Sequence, residues 1–164
     1  MIVEIERKFL VLHDGWKAAA TGARRIRQGY VAEGPSLTVR VRAIDGEPGR
    51  LTLKSRAAGL SRLEFNTTLP PEDAGRLLDE HRTGALIEKT RYRVRWHERD
   101  WDVDVFAGEN EGLVVAEVEF EDEAAAAALR PPPWVGREVT GEEPYYNAAL
   151  ARRPYRLWAR DERG

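Results

Sequence analysis

The chain has 164 residues, 42% of them hydrophobic and 33% charged, and its 26 Lys plus Arg against 28 Asp plus Glu leave a net charge of -2. That length supports a substantial core, and the balanced charge excludes the broadly basic surface of a general nucleic-acid binder while leaving room for a local basic pocket. With no cysteine, disulfides, thiolate chemistry and Cys-ligated zinc or iron–sulfur centres are excluded.

The dominant periodicity is two, the signature of strands. From Ile2 to Leu10, Ile5 and Phe9 alternate with Glu4, Glu6 and Lys8. This opening lacks an apolar stretch of signal-peptide length, and no run is long enough to span a bilayer, so a cytoplasmic location is expected. A helical turn is placed around Trp16 to Gly22, then strands at Arg25 to Ala32 and Leu37 to Ile44. Asp45-Gly46-Glu47-Pro48-Gly49 reads as a turn leading into Leu51 to Ser55, and Arg62 to Leu69 supplies a further strand. Pro70-Pro71-Glu72-Asp73 opens a helix, with acids at its positive end, that runs to about Arg82 and stops by Gly84. Strands follow at Leu86 to Glu98, Trp101 to Phe106 and Leu113 to Phe120. Glu121 to Leu129 is alanine-rich and helical by propensity, ended by Pro131-Pro132-Pro133. Gly136 to Thr140 is short and ambiguous, and Pro144 to Arg152 is a final helix. No repeat or linker divides residues 1–164, so one domain is expected. Its class is α+β: a closed eight-stranded antiparallel β-barrel with flanking helices, closure being favoured because it leaves no open edges.

Chemically matched charges recur on one face of several strands: Glu4, Glu6 and Lys8; Arg40 and Arg42; Lys89, Arg91, Arg93 and Arg95; Asp102 and Asp104; Glu117 and Glu119, with Lys54 and Glu64 as single members. Same-face neighbours lie about 6–7 Å apart, so two carboxylates can share a cation and two guanidinium groups can bracket successive phosphoryl groups. Like charges so placed repel unless compensated. Two readings stand at this point. The charges can be a solvated face of an ordinary β protein, or they can line a wet cavity that pairs a hard, oxygen-ligated cation, Mg²⁺ or Mn²⁺, with a polyphosphate.

The opening Glu4-Ile5-Glu6-Arg7-Lys8 resembles the Glu-x-Glu-x-Lys signature of the CYTH superfamily, the triphosphate tunnel metalloenzymes. The resemblance continues through Arg40 and Arg42, Lys54, Glu64, Lys89-Thr90-Arg91-Tyr92-Arg93, Trp101 to Phe106, Gly112 to Glu119 and Tyr145-Tyr146-Asn147-Ala148-Ala149-Leu150. It implies an eight-stranded tunnel and a metal-dependent inorganic triphosphatase that converts tripolyphosphate to pyrophosphate and phosphate. Class IV-like adenylate cyclase, broader nucleoside or thiamine triphosphatase, and a non-catalytic polyphosphate-binding module are the alternatives.

Carried over by resemblance, Lys8, Arg40, Arg42, Lys54 and Arg91 bind the triphosphate with help from Arg93 or Lys89. Glu4, Glu6, Glu64, Asp104, Glu117 and Glu119 form the metal side, with Mg²⁺ or Mn²⁺ as cofactor. A Lys8–Tyr30 pair activates water, provided that neighbouring positive charge depresses the pKa of one of them. Two departures from the family pattern stand out. Asn66 occupies a position where many relatives carry a further acid, and the C-terminal lysine of the animal thiamine triphosphatases is absent. The expected partner is a small triphosphate, with no stable nucleic-acid partner, no membrane, and a monomer or homodimer. His13, His81 and His97 read as loop or surface residues, the five tryptophans as packing anchors, and Arg24-Arg25-Ile26-Arg27 as mainly solvated.

Overall fold

The computed structural model describes residues 5–34, 36–55 and 64–163. Among these residues nine strands carry the fold: β1 (Ile5–Val11), β2 (Ala20–Glu33), β3 (Leu37–Ile44), β4 (Gly49–Ser55), β5 (Glu64–Leu69), β6 (Thr83–Trp96), β7 (Arg99–Ala107), β8 (Val114–Phe120) and β9 (Val135–Glu138). They form one antiparallel sheet in the order β5-β4-β3-β2-β6-β7-β8-β1-β9. The expected closed eight-stranded barrel is therefore corrected to an open nine-stranded sheet: among the described residues no ladder joins the β5 edge back to β1 or β9. The cause lies in β9, which pairs with β1 through Phe9↔Glu138 and Val11↔Val135, while Val139 N–H donates to the Lys8 carbonyl. That short segment takes the outer edge of β1 that a closing strand would need.

Strand alternation sorts side chains into two faces. On one face Phe9, Trp16, Val94, Trp101, Val103, Ala116, Val118 and Trp134 form the largest apolar cluster. The 3₁₀ turn Asp14–Ala19, capped by the His13 imidazole accepting from Gly15 N–H, seats Trp16 there. Helix α2 (Glu123–Ala127) packs on β1 and β8. Trp101 is 1% exposed, with ring centroids 5.8 Å from Phe9 and 5.5 Å from Trp134. Trp101→Ala is expected to lower the unfolding free energy by about 3–5 kcal/mol, because so large a cavity cannot fully collapse. Urea titration checks this, and a loss below about 1 kcal/mol would mean that this cluster is not the main core.

Helix α1 (Pro71–Glu80) starts on proline with Glu72 and Asp73 in its first turn, and buries Ala74 and Leu78 against Val41. Its seat on β4 is close: a Cβ at Gly49 would stand 2.4 Å from that of Ala74. The last helix is shorter than the sequence pattern suggests, a 3₁₀ turn at Glu143–Tyr145 followed by α3 (Asn147–Arg152). It lies so tightly on β6 that Gly84, at φ +72°, has room for no side chain beside the Ala151 carbonyl.

The opposite face of the sheet is divided along its length. Tyr30, Ile87, Phe106, Leu113 and Val115 meet Leu150, Tyr145 and Trp158 in an apolar cluster at one end. Beyond them the same parity continues into charge: Lys89 and Arg91 on β6, Asp104 and Asp102 on β7, Glu117 and Glu119 on β8, Lys8 and Glu6 on β1. No described helix is long and apolar enough to cross a membrane.

Candidate active site

The centre of the charged face is built by register. Pairings Arg91↔Asp104 and Arg93↔Asp102 link β6 to β7, Asp102↔Glu117 links β7 to β8, and Lys8↔Glu117 with Glu6↔Glu119 links β8 to β1. Arg91 donates from Nε to Asp104 Oδ1 at 2.7 Å and from Nη2 to Asp104 Oδ2 at 2.8 Å, a bidentate clasp. It also reaches Glu117 at 3.1 Å and Asp102 at 3.2 Å. Lys8 Nζ approaches Glu117 at 3.1 Å from the other side, 5.5 Å below the Tyr146 ring. Lys89 Nζ meets Asp104 Oδ2 at 2.5 Å.

Burial opposes charge on Asp104, but Lys89 and Arg91 outweigh it and hold its carboxyl below the usual aspartate value. Burial lowers the Lys89 ammonium, which shares that carboxylate with Arg91. Burial opposes the Arg91 charge, but Asp104, Glu117 and Asp102 outweigh it and raise the guanidinium. Burial raises the Asp102 carboxyl against the pull of Arg91.

A second group lies across β2 to β5. Arg42 Nε donates to the Gln28 side chain at 2.9 Å, and Arg40 Nη2 to Thr52 Oγ1 at 3.3 Å. Thr52 Oγ1 donates to Asn66 Oδ1 at 2.7 Å, and Asn66 Nδ2 to Glu64 Oε1 at 3.0 Å. Glu64 also pairs with Lys54 at 3.1 Å, and the Asn66 hydrogen bond followed by Lys54 lowers its pKa. Asn66 thus keeps an oxygen at the site but spends it on Thr52. Burial, then repulsion from Arg40 and Arg91, lowers the Arg42 guanidinium to about 10. Arg42 and Arg91 line a single cavity of about 490 Å³ together with Arg24, Arg50, Arg93 and Asp102.

The expected phosphate-binding residues therefore do not stand alike. Arg40, Arg42 and Arg91 share the charged face; Lys54 lies on β4 in an ion pair with Glu64; Arg93 is largely exposed beside Asp100. Lys89 is buried. Of the expected acids, Glu119 and Glu6 face each other at the exposed rim, Glu117 lies between Lys8 and Arg91, and Asp104 is enclosed. Glu64 sits on the opposite edge strand, and Glu4 lies outside the described residues. Tyr30 packs in the apolar end, where burial pushes its phenol up by more than Arg40, Gln28 and Arg42 lower it. Gln28, Thr52 and Arg50 are not among the expected site residues, and Asp102 is marked there only by its parity with Asp104. Thr52 and Arg50 share the parity of Lys54 on β4, which is the signal that marks them, whereas β2 carries charges on both parities and gives Gln28 no such signal.

The donors available for an ion fit a hard divalent cation in kind. Asp102, Glu117 and Glu119 line one cavity of about 320 Å³ with Arg93, Arg95 and Arg99, and Glu6 stands opposite Glu119 across the β1–β8 ladder. Among the described residues no three acidic or histidine side chains converge closely enough to hold an ion as they stand.

The family model for the CYTH domain matches residues 3–155. The chain belongs to the CYTH family. An inorganic triphosphatase of Acetivibrio thermocellus is 42% identical over 153 residues, covering 93% of this chain and 96% of its own length. An inorganic triphosphatase of Nitrosomonas europaea is 40% identical over 154 residues, covering 92% and 97%. The crystal structure of the inorganic triphosphatase NE1496 superposes with a TM-score of 0.74 at 36% identity, covering 97% of each chain. The CYTH match thus spans both groups of charged residues, from β1 through α3.

Proposed function

We propose that this CYTH protein is a metal-dependent inorganic triphosphatase that hydrolyses tripolyphosphate to pyrophosphate and phosphate. The observation that carries the reading is the set of guanidinium groups on one face of the sheet. Arg40 and Arg42 take neutral partners, Thr52 and Gln28, and Arg42 is electrostatically crowded by Arg40 and Arg91. Arg40 and Arg42 thus have no carboxylate among their hydrogen-bond partners, and a linear polyanion supplies the counter-charge. The names of the relatives that cover nearly the whole chain support the same reaction class.

In the reaction a water oxygen bonds to the terminal phosphorus, the bridging P–O bond breaks, pyrophosphate leaves, and the water surrenders its proton. Arg40, Arg42 and Arg91 hold the oxygens whose charge redistributes, so most of the catalytic work is positional and electrostatic. A bound Mg²⁺ or Mn²⁺ supplies charge neutralisation and a more acidic water. Glu6, Glu117 and Glu119 are the residues we assign to hold it, with Glu4 and Glu64 as further candidates. Lys8, beside Glu117, orients the water. Tyr30, with its phenol pushed up by burial, acts as a hydrogen-bond donor rather than a base.

The test is a substrate panel with product identification at matched Mg²⁺ and Mn²⁺. Tripolyphosphate is expected to be turned over at least about tenfold more efficiently than ATP, giving phosphate and pyrophosphate in equal amounts. Cyclic AMP as the main product from ATP would replace the hydrolase reading with a cyclase. Binding of tripolyphosphate without cation-dependent turnover would leave only a binding module.

A further inference from the structure

Lys89 and Asp104 are the most enclosed ion pair described on the charged face, their side chains 2% and 1% exposed. They sit where charge gives way to the apolar end: Lys89 pairs in register with Phe106 and lies 5.3 Å from the centre of its ring. Every oxygen of Asp104 is engaged, Oδ1 by Arg91 Nε and Oδ2 by both Arg91 Nη2 and Lys89 Nζ. Arg91, in contrast, is 26% exposed and lines the large cavity. The surrounding charges balance in number: Asp102, Asp104 and Glu117 are interleaved with Lys8, Lys89 and Arg91.

We infer that Lys89 and Asp104 are positioning residues that act through Arg91, fixing its guanidinium at the cavity wall without touching the triphosphate. An ammonium that served phosphate directly would need an open path, and that of Lys89 is spent on a carboxylate against an aromatic ring. A carboxylate that served a cation would need to reach the cavity, and Asp104, doubly paired and 1% exposed, does not, whereas Glu117, also paired through both oxygens, is 17% exposed. A guanidinium clasped through Nε and one Nη cannot rotate about its last side-chain bond, so the remaining Nη, 3.2 Å from Asp102 at the cavity wall, keeps a fixed direction. Lys89 supplies the second charge that lets Asp104 stay ionised at that depth while Arg91 is shared with two further acids.

The activity arm of the test rests on the triphosphatase reading. Lys89→Met alone is expected to lower kcat/KM for tripolyphosphate by roughly 30-fold, yet by less than about 2-fold when Arg91 is already alanine. Asp104→Asn takes the same place in the cycle if thermal melts show Lys89→Met unfolded. Effects that multiply in the double variant would mean that Lys89 or Asp104 meets the substrate or cation itself, and would overturn the inference.

A spectroscopic arm is independent of turnover. In ¹⁵N-labelled wild-type protein the Arg91 Nε–H, assigned by its loss in Arg91→Ala, should exchange slowly with solvent. It should do so with or without tripolyphosphate, and the protection should vanish in Asp104→Asn. Rapid exchange in the wild type would overturn the positioning role. Absence of turnover with preserved protection would instead count against the triphosphatase reading alone.

Discussion

Arg91→Ala is expected to lose turnover, stability and the pH profile of that stability together. Arg91 is the cation shared by Asp102, Asp104 and Glu117, at 3.2, 2.7 and 3.1 Å. Its loss removes a proposed phosphate contact and leaves three carboxylates with only Lys8 and Lys89 between them. We expect kcat/KM for tripolyphosphate to fall at least ~100-fold, in the range found when an electrostatic donor is removed from a transition state. Unfolding free energy at neutral pH should fall by about 3 kcal/mol, because breaking a largely buried array strands charge.

The sign of the pH effect follows from linkage. In the wild type Asp104 has a folded pKa below its ordinary 3.8, so its contribution is present above that value and is lost as pH falls through the lower folded one. In Arg91→Ala the released acids are raised instead, which costs stability at neutral pH and returns it as they protonate. The gap between variant and wild type should therefore narrow from pH 7 to pH 5. Urea titrations at the two pH values measure it, and an unchanged gap would mean that the array does not hold Arg91 as described.

Glu117→Gln should separate binding from turnover. Glu117 lies opposite Lys8 and beside Arg91, at 3.1 Å from each, and the substitution keeps its shape while removing the charge. Tripolyphosphate should bind at least as tightly without added cation, since the polyanion meets one negative charge fewer. Turnover should nevertheless fall at least ~100-fold and demand more Mg²⁺ or Mn²⁺, because an oxygen ligand of the proposed ion is weakened. Calorimetry without cation and a cation titration of the rate read the two halves. Wild-type turnover in this variant would remove Glu117 from the site, whereas weaker binding without cation would place it among the substrate contacts.

Much of this layout can be read from the chain because alternation is local. Leu37 to Ile44 follows the pattern residue for residue, and the shared parity of Lys89, Arg91 and Arg93 places all three on one face. Parity does not give depth. The three side chains are 2%, 26% and 62% exposed, a gradient set by Tyr145, Leu150 and Trp158, which come from more than fifty residues away in sequence and fill one end of the face. Barrel closure failed for a similar reason. Val135–Glu138 has four residues and no alternation of its own, and it is a strand only because it bonds to the edge of β1. Asn66 looks in sequence like a missing acid. Its contact to Thr52 depends on β4 and β5 being paired, which no single strand announces, whereas its bond to Glu64 runs along β5 itself.

The apolar end of the charged face has a consequence for traffic. Tyr30, Ile87, Phe106, Leu113 and Leu150 make that end of the charged face apolar, so it offers no path to an anion. On the proposed reading, pyrophosphate must back out past the arginines that drew its parent in, and a grip tight enough to capture the substrate also detains the product.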